Sequence, residues 1–149
     1  MEFVDQLESI NFKPRKKKKK TQGLEDSIQV QLVRWLEESH SGVLFRADSA
    51  AGIKLSIGQA TKLKRMGGNT RGWPDFLVLE PNKEFHGMFL ELKKDGVKIY
   101  KEDGSLYKNE HHQEQHETLQ KIKAKGYYAN FAIGLEDAKK QIENYLKNR

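Results

Sequence analysis

Two short charged clusters, 16 positions apart, are the residues of this chain best placed to do chemistry. The first, Trp73-Pro74-Asp75, opens one apolar run, and the second, Glu91-Leu92-Lys93, closes another. If the two runs are adjacent strands, both carboxylates and the lysine lie at neighbouring strand ends. Such a set could hold a divalent cation against a phosphodiester, because hard oxygen ligands suit Mg²⁺ or Mn²⁺. The pattern predicts metal-dependent phosphodiester hydrolysis.

The register of the two strands decides whether the carboxylates meet. A hairpin centred on Lys83 would place Asp75 opposite Glu91 and Leu77 opposite Phe89. Directly opposed side chains on an antiparallel pair share one face, with Cβ atoms about 4.5–5.5 Å apart. A slip of one residue would put the two acids on opposite faces of the sheet. The predicted site depends on this register.

Lys93 and Leu92 extend the predicted site. Lys93 lies two residues after Glu91 and therefore shares its face, where the ammonium could hold the attacking water or neutralise charge on the pentavalent intermediate. The Leu92 carbonyl could add a further metal ligand. The alternative is that Asp75 only begins a strand after a proline turn and that Glu91 and Lys93 are edge charges. A site is favoured because both clusters interrupt strongly apolar strands, whereas a solvated surface would alternate.

Two predicted helices bring further polar groups. Glu25 falls in the first turn of a helix over 24–39, where its alternative role is a helix-dipole interaction worth ~0.3–1 kcal/mol. Gln115 lies on one helix stripe with Leu119 and Ile122, so its amide is expected to face inward. Its alternative role is that of a half-buried glutamine with satisfied hydrogen bonds.

Apolar periodicity and turn residues predict the elements that must position these groups. The predicted helices are 24–39, 58–66, 112–125 and 135–147, the predicted strands are 43–46, 75–79, 88–93 and 127–133, and a small β-hairpin is predicted within 95–108. The order α-β-(α)-β-β-(hairpin)-α-β-α predicts one α/β domain over residues 23–149, with a mixed sheet covered by helices on both faces.

The net charge of +6 is concentrated at the start of the chain. Residues 1–20 carry +4 of it, and a dense run of like charges repels itself, so residues 1–22 are predicted to be a disordered basic tail. Lys16, Lys17 and Lys18 would attract DNA phosphates by counterion release. A solubilising tail or a localisation signal would have the same composition.

A second basic group precedes Asp75 and could form a phosphate-contacting rim. Its members are Lys54, Lys62, Lys64, Arg65 and Arg71. Solvated helix and loop charges are the alternative to this DNA-binding role.

Several classes of protein are excluded or disfavoured by the composition. The chain has no cysteine, which excludes disulfides and thiolate zinc sites. No apolar run approaches the ~18 residues of a membrane span, and no G-x-x-x-x-G-K-[ST] motif indicates a nucleotide cofactor. His112 and His116 are four apart, but the glutamate of an H-E-x-x-H zinc motif is misplaced between them. A cytoplasmic protein without a membrane or nucleotide partner is expected.

Taken together, Glu25, Gly72-Trp73-Pro74-Asp75, the segment His86 to Lys93, and Gln115 resemble the VRR-NUC family of the PD-(D/E)XK nuclease superfamily. The resemblance covers roughly residues 24–147 and rests on the order and spacing of several motifs, each of which is weak alone. It implies a restriction-endonuclease-like core and a metal-dependent DNA endonuclease.

The resemblance also implies a role for each residue of the site. Asp75 and Glu91 would bind Mg²⁺ or Mn²⁺, and Lys93 would be the catalytic lysine. Glu25 would complete the metal site or bind a second metal. Gln115 would be the family's helix glutamine, near the active site and the DNA.

Expected partners follow from the same resemblance. Short stand-alone members look like phage or bacterial proteins, and several resemble Holliday-junction resolvases that act as homodimers, so branched DNA and a second copy of the chain are expected. The segment 95–108 departs from the family pattern and could contact DNA, a partner subunit or nothing. The alternatives that stay open are a nuclease for plain duplex, single-stranded DNA or RNA, and a non-catalytic DNA-binding module.

Overall fold

The computed structural model describes residues 24–48, 54–68 and 71–149, with side chains from residue 28 onward in these ranges. The described helices are α1 (Leu24–Ser39), α2 (Ile57–Arg65), α3 (Glu110–Lys123) and α4 (Gly134–Lys147). The described strands are β1 (Phe45–Ala47), β2 (Phe76–Val78), β3 (Met88–Lys93) and β4 (Tyr128–Ile133).

The four strands form one mixed sheet in the order β1-β2-β3-β4. Strands β1 and β2 pair antiparallel, as do β2 and β3, whereas β3 and β4 pair parallel. A parallel pair needs a long crossover, and α3 lies within the connection between β3 and β4. Strand β3 therefore lies inside the sheet, and all six of its residues are buried.

Alternate residues of β3 face two different hydrophobic cores. Met88, Leu90 and Leu92 lie in the core formed with α1 and α4, and Phe89 lies in the core formed with α3. Side chains alternate between faces along a strand. Glu91 and Lys93 therefore share the α3 side of the sheet with Phe89.

Local hydrogen bonds fix the starts of α2 and α3. At the start of α2, Ser56 and Gln59 form a reciprocal capping box. At the start of α3, the Asn109 side chain accepts a hydrogen bond from the backbone N–H of His112 at 3.0 Å. After α3, Gly126 has a φ of +87°, a left-handed conformation that ends the helix and favours glycine.

The predicted order of elements is confirmed, including helices on both faces of a mixed sheet. Helix 24–39 and strand 88–93 have the predicted bounds, and the other named elements begin or end within two residues of theirs. The small hairpin predicted within 95–108 is present in a reduced form, in which one antiparallel bridge joins Tyr100 to Leu106 and no longer strand forms. The intervening glycine- and charge-rich sequence favours a turn over extended pairing.

The two remaining predictions concern the basic tail and the absence of a membrane span. The basic tail predicted over residues 1–22, with Lys16, Lys17 and Lys18, lies outside them. Within them, no helix is both long and apolar enough to cross a lipid bilayer.

Candidate active site

Asp75 and Glu91 lie at neighbouring positions on one face of the β2–β3 pair. The register pairs Phe76 with Leu90 and Leu77 with Phe89, so the next step along both strands places Asp75 opposite Glu91. This is the register predicted from the sequence. Asp75 lies immediately before β2, and its Oδ2 accepts a hydrogen bond from the backbone N–H of Leu92 at 3.0 Å. Asp75 is thereby tied to β3 at the strand end.

Glu91 is the centre of a buried polar cluster on the α3 side of the sheet. Its Oε1 lies 3.1 Å from Nζ of Lys93 and accepts a hydrogen bond from Nε2 of Gln115 in α3. Only 2% of Glu91, 7% of Lys93 and 4% of Gln115 is exposed to solvent. The second carboxylate oxygen, Oε2, is buried and has no hydrogen-bond partner among the described residues. A buried oxygen of this kind is costly unless another group binds it.

The electrostatics of the cluster favour binding of a cation. Burial, followed by the nearby charge of Asp75, raises the pKa of Glu91 to about 8, while Lys93 opposes the increase. Burial also raises the pKa of Asp75, against the lowering effects of the Leu92 N–H and of Lys93, and the charge of Asp48 raises it further. Both acids are therefore difficult to ionise together in this environment without additional positive charge.

The loop before Asp75 is held closely against α3. Gly72 has a φ of +78°, and a Cβ atom added there would lie 3.1 Å from the backbone oxygen of Glu114 and 3.2 Å from Oγ1 of Thr118. Arg71 adds an ion pair, with Nε 2.7 Å from Oε2 of Glu114. A larger residue at position 72 would push the loop from the helix, so Gly72 sets how closely Asp75 approaches the Gln115 side of the site.

Trp73 supports the same loop through packing. Its ring meets the edge of Phe89 at a centroid distance of 5.9 Å, although 54% of the residue stays exposed. Because Trp73 lies two residues before Asp75, this contact joins the loop to β3.

The donors in the cluster suit a hard divalent cation. Asp75 and Glu91 supply carboxylates on one face, the Glu91 Oε2 atom lacks a partner, and Leu92 lies beside them in β3. No group of three acidic or histidine side chains suited to a metal occurs among the described residues. Glu25, the third predicted carboxylate, lies in the first turn of α1, but its side chain is outside the described part of the structure. The donors that are described fit the predicted ion.

The predicted phosphate-contacting residues are on the surface. Lys54, Lys62, Lys64 and Arg65 are exposed, and α2, which carries the last three, has no buried residue. Arg71 is also exposed but is engaged by Glu114. The structure therefore gives Arg71 a structural role in the loop in addition to the predicted contact with DNA.

His112 lies beside the cluster and was not assigned to it from the sequence. Its ring contacts Phe131, the β4 neighbour of Glu91, at a centroid distance of 6.5 Å. Burial, the charge of Lys93 and the charge of His111 lower the pKa of His112, and its buried Nδ1 atom has no hydrogen-bond partner within the described ranges. The spacing of three residues between His112 and Gln115, which places both on one helix face, was the available signal.

Comparison with known proteins adds a fold relationship to this geometry. No protein-family model and no curated protein matches the sequence. Among solved structures, a chain described as a VRR_NUC domain protein is similar at a TM-score of 0.61 and 24% sequence identity, over 83% of this chain and 88% of that one. The resemblance predicted from the sequence motifs is confirmed at the level of the fold: the chain has the fold of a VRR_NUC domain protein.

Proposed function

We propose that residues 23–149 form a metal-dependent DNA endonuclease of the VRR-NUC type. The observation that carries this proposal is the convergence of Asp75, Glu91, Lys93 and Gln115 on one side of the sheet. A buried lysine and two carboxylates on a strand end, within this fold, are suited to phosphodiester hydrolysis.

In this proposal, the residues of the chain bind and orient the reacting groups. Lys93, with a buried ammonium next to Glu91, donates a hydrogen bond to the attacking water or to a phosphate oxygen and offsets developing negative charge. Gln115 holds Glu91 from α3 and fixes the carboxylate orientation. The Leu92 N–H does the same for Asp75 from β3. Catalysis of this kind depends on such preorganised groups.

The proposed cofactor is Mg²⁺, or Mn²⁺, held by Asp75, Glu91 and the Leu92 carbonyl, with Glu25 as a further ligand. When bound, such an ion polarises the phosphate and lowers the pKa of a bound water. The partnerless Oε2 atom of Glu91 and the pKa of about 8 both support a cation at this place. Binding of the ion would stabilise the ionised form of Glu91.

We further propose that DNA lies across the exposed basic residues and that the substrate is branched. Lys54, Lys62, Lys64 and Arg65 would contact the backbone, together with Arg71 and the tail residues Lys16, Lys17 and Lys18. A homodimer would match the two-fold symmetry of a four-way junction. The protein would act in the cytoplasm of a bacterial or phage-infected cell.

The test of catalysis is cleavage of DNA by the full chain with Mg²⁺. We expect Asp75→Asn and Lys93→Ala to reduce cleavage by at least about a hundredfold, because each removes a group that acts in the transition state. Lys125→Ala is the matched control for Lys93, since Lys125 is an exposed lysine after α3 and should leave the rate unchanged. Asp75→Asn protein that cleaves at the wild-type rate would contradict the assignment.

Calorimetric titration with Mn²⁺ separates a nuclease from a non-catalytic DNA-binding module. The nuclease predicts Mn²⁺ binding that is lost in Glu91→Gln, and a binding module predicts none that depends on this residue. A gel comparison of a four-way junction, a flap, a single strand, a plain duplex and an RNA strand tests the proposed selectivity. Equal cleavage of all five would contradict branched DNA as the substrate.

A further inference from the structure

We propose that the inserted turn, defined as residues 95–108 between β3 and α3, binds an unpaired DNA strand that leads away from the cleavage site. This inference rests on the proposed nuclease function and adds a substrate-binding surface to it. The surface presents two tyrosines among three exposed lysines. Its members are Lys98, Tyr100, Lys101, Tyr107 and Lys108.

The inserted turn is a fixed platform within the fold. Ile99 is only 4% exposed and lies in the core on the α3 side of the sheet, against which Leu106 also packs. Two backbone hydrogen bonds join its limbs, from the Tyr107 N–H to the Ile99 oxygen at 3.0 Å and from the Lys101 N–H to the Ser105 oxygen at 2.7 Å. A preformed surface loses little conformational entropy when it binds a ligand.

The exposed side chains of the inserted turn fit a single strand of nucleic acid. Tyr107 is 41% exposed, and in the described part of the chain its ring contacts no other aromatic ring. Lys98, Lys101 and Lys108 form no ion pair with any described residue. Lysines follow a phosphate backbone, and exposed aromatic rings stack on bases whose faces are not covered by a duplex.

The inserted turn also carries three acids, two of which have local contacts that fix their positions. Asp103 accepts hydrogen bonds from the backbone N–H and the hydroxyl of Ser105, at 2.9 Å and 2.6 Å. Asp95 lies against Gly134 at the start of α4, where a helix N-terminus favours a negative charge. These contacts fix the positions of two of the three exposed carboxylates, and the third belongs to Glu102.

The surface continues into the candidate active site. The Tyr100 hydroxyl lies 3.1 Å from Nδ1 of His116, and the Tyr100 ring contacts Phe131 at a centroid distance of 6.1 Å. Phe131 is the β4 register partner of Glu91. One side chain therefore separates the inserted turn from the carboxylate at the centre of the site. A strand whose phosphate lies at Glu91 would pass the inserted turn with its next unpaired bases.

The experiment is fluorescence anisotropy of the full chain in EDTA with three labelled ligands: a single DNA strand, a blunt duplex, and an RNA strand of equal length. Tyr107→Ala should weaken binding of the single DNA strand about tenfold, because a lost base–aromatic stack has about this effect. Binding of the blunt duplex should change by less than about twofold. Tyr107→Phe should bind like the wild type, because stacking needs the ring and not the hydroxyl.

Salt titrations test the lysines separately. For the single strand, Lys98→Gln combined with Lys108→Gln should lower the slope of log affinity against log salt by roughly 1.4, at ~0.7 for each phosphate contact. Lys121→Gln combined with Lys125→Gln is the matched control, because both are exposed lysines at the other end of α3. Its slope should equal that of the wild type.

Three results would overturn the inference. The first is that Tyr107→Ala binds the single strand as tightly as the wild type does. The second is that this variant loses affinity equally for the single strand and the duplex. The third is that the wild type binds RNA more tightly than DNA. Since no cleavage occurs in EDTA, the outcome is separable from the nuclease proposal. If cleavage depends on Asp75 but Tyr107→Ala binds the single strand as the wild type does, only the proposal for the inserted turn is refuted. If single-strand binding depends on Tyr107 but no DNA is cleaved, only the nuclease proposal is refuted.

Discussion

The raised pKa of Glu91 predicts that the metal-free protein loses stability as the pH rises. The folded state holds the Glu91 proton more tightly than the unfolded chain, since the pKa rises from 4.5 to about 8 on folding. For an acid with a raised pKa, the stabilisation is complete below the unfolded value of 4.5 and is lost as the pH rises toward the folded value of about 8. Above that value, this residue adds no further pH dependence.

The size of the effect follows from the two pKa values. Each pKa unit corresponds to about 1.4 kcal/mol, so Glu91 lowers the free energy of unfolding by at most about 5 kcal/mol across this window. Because Glu91 is almost completely buried, solvent screening does not reduce this contribution as it would at the surface. A domain of this size has a total stability of about 5–15 kcal/mol, so the loss should be easily measured.

The assay is urea unfolding in EDTA at several values between roughly pH 5 and pH 8, for wild type and Glu91→Gln. The difference between the two stabilities should fall by about 1.4 kcal/mol per pH unit through the middle of the window. Comparison with the variant removes the contributions to stability that the two proteins share. Glu143→Gln changes an exposed glutamate of α4 and should follow the wild type. Parallel curves for wild type and Glu91→Gln would refute the argument.

Two further substitutions test how the site is positioned. Gly72→Ala should cost about 1–3 kcal/mol of stability in urea unfolding. Gly96→Ala is the control and should cost less. The two glycines have nearly equal φ values, +78° and +79°, but only Gly72 lies against α3. Equal losses would show that contact with the helix is unimportant. Gln115→Leu removes the amide donor to Glu91 and should raise the pKa of that carboxyl further, so that stability is still being lost above about pH 8 in the same titration. Gln113→Leu, on the exposed face of α3, should leave this pH range unchanged. An unchanged window in Gln115→Leu would mean that the amide does not stabilise the ionised carboxylate.

The sequence predicted the positions of the candidate site residues best where these belong to strands with a strict period. One assumption about the turn around Lys83 was enough to place Asp75 opposite Glu91, and the observed register agrees with it. Gln115 could be assigned to the inner face of α3 because the apolar stripe of a helix defines that face. The motifs of the family resemblance then predicted the fold.

The contacts that were not predicted join segments far apart in sequence. Neither the periodicity of α3 nor the turn before Asp75 indicates that Gly72 meets the backbone of Glu114. The same holds for Tyr100, which reaches His116 only because Ile99 anchors the inserted turn in the core. A local pattern determines which face of an element is buried, but it does not specify which neighbour covers that face.

The charges on β3 are themselves an argument for function. Glu91 and Lys93 occupy strand positions that are buried on both faces, where most residues around them are apolar. Desolvation makes a buried ion pair a weak source of stability, and apolar side chains of similar volume are often equal or better. Here the pairing is also incomplete, because the Glu91 Oε2 atom lacks a described partner and Asp75 adds a second carboxylate to the same face. An arrangement that costs folding energy in the metal-free protein, and that a bound cation would relieve, is expected of a site shaped for a ligand rather than for the fold.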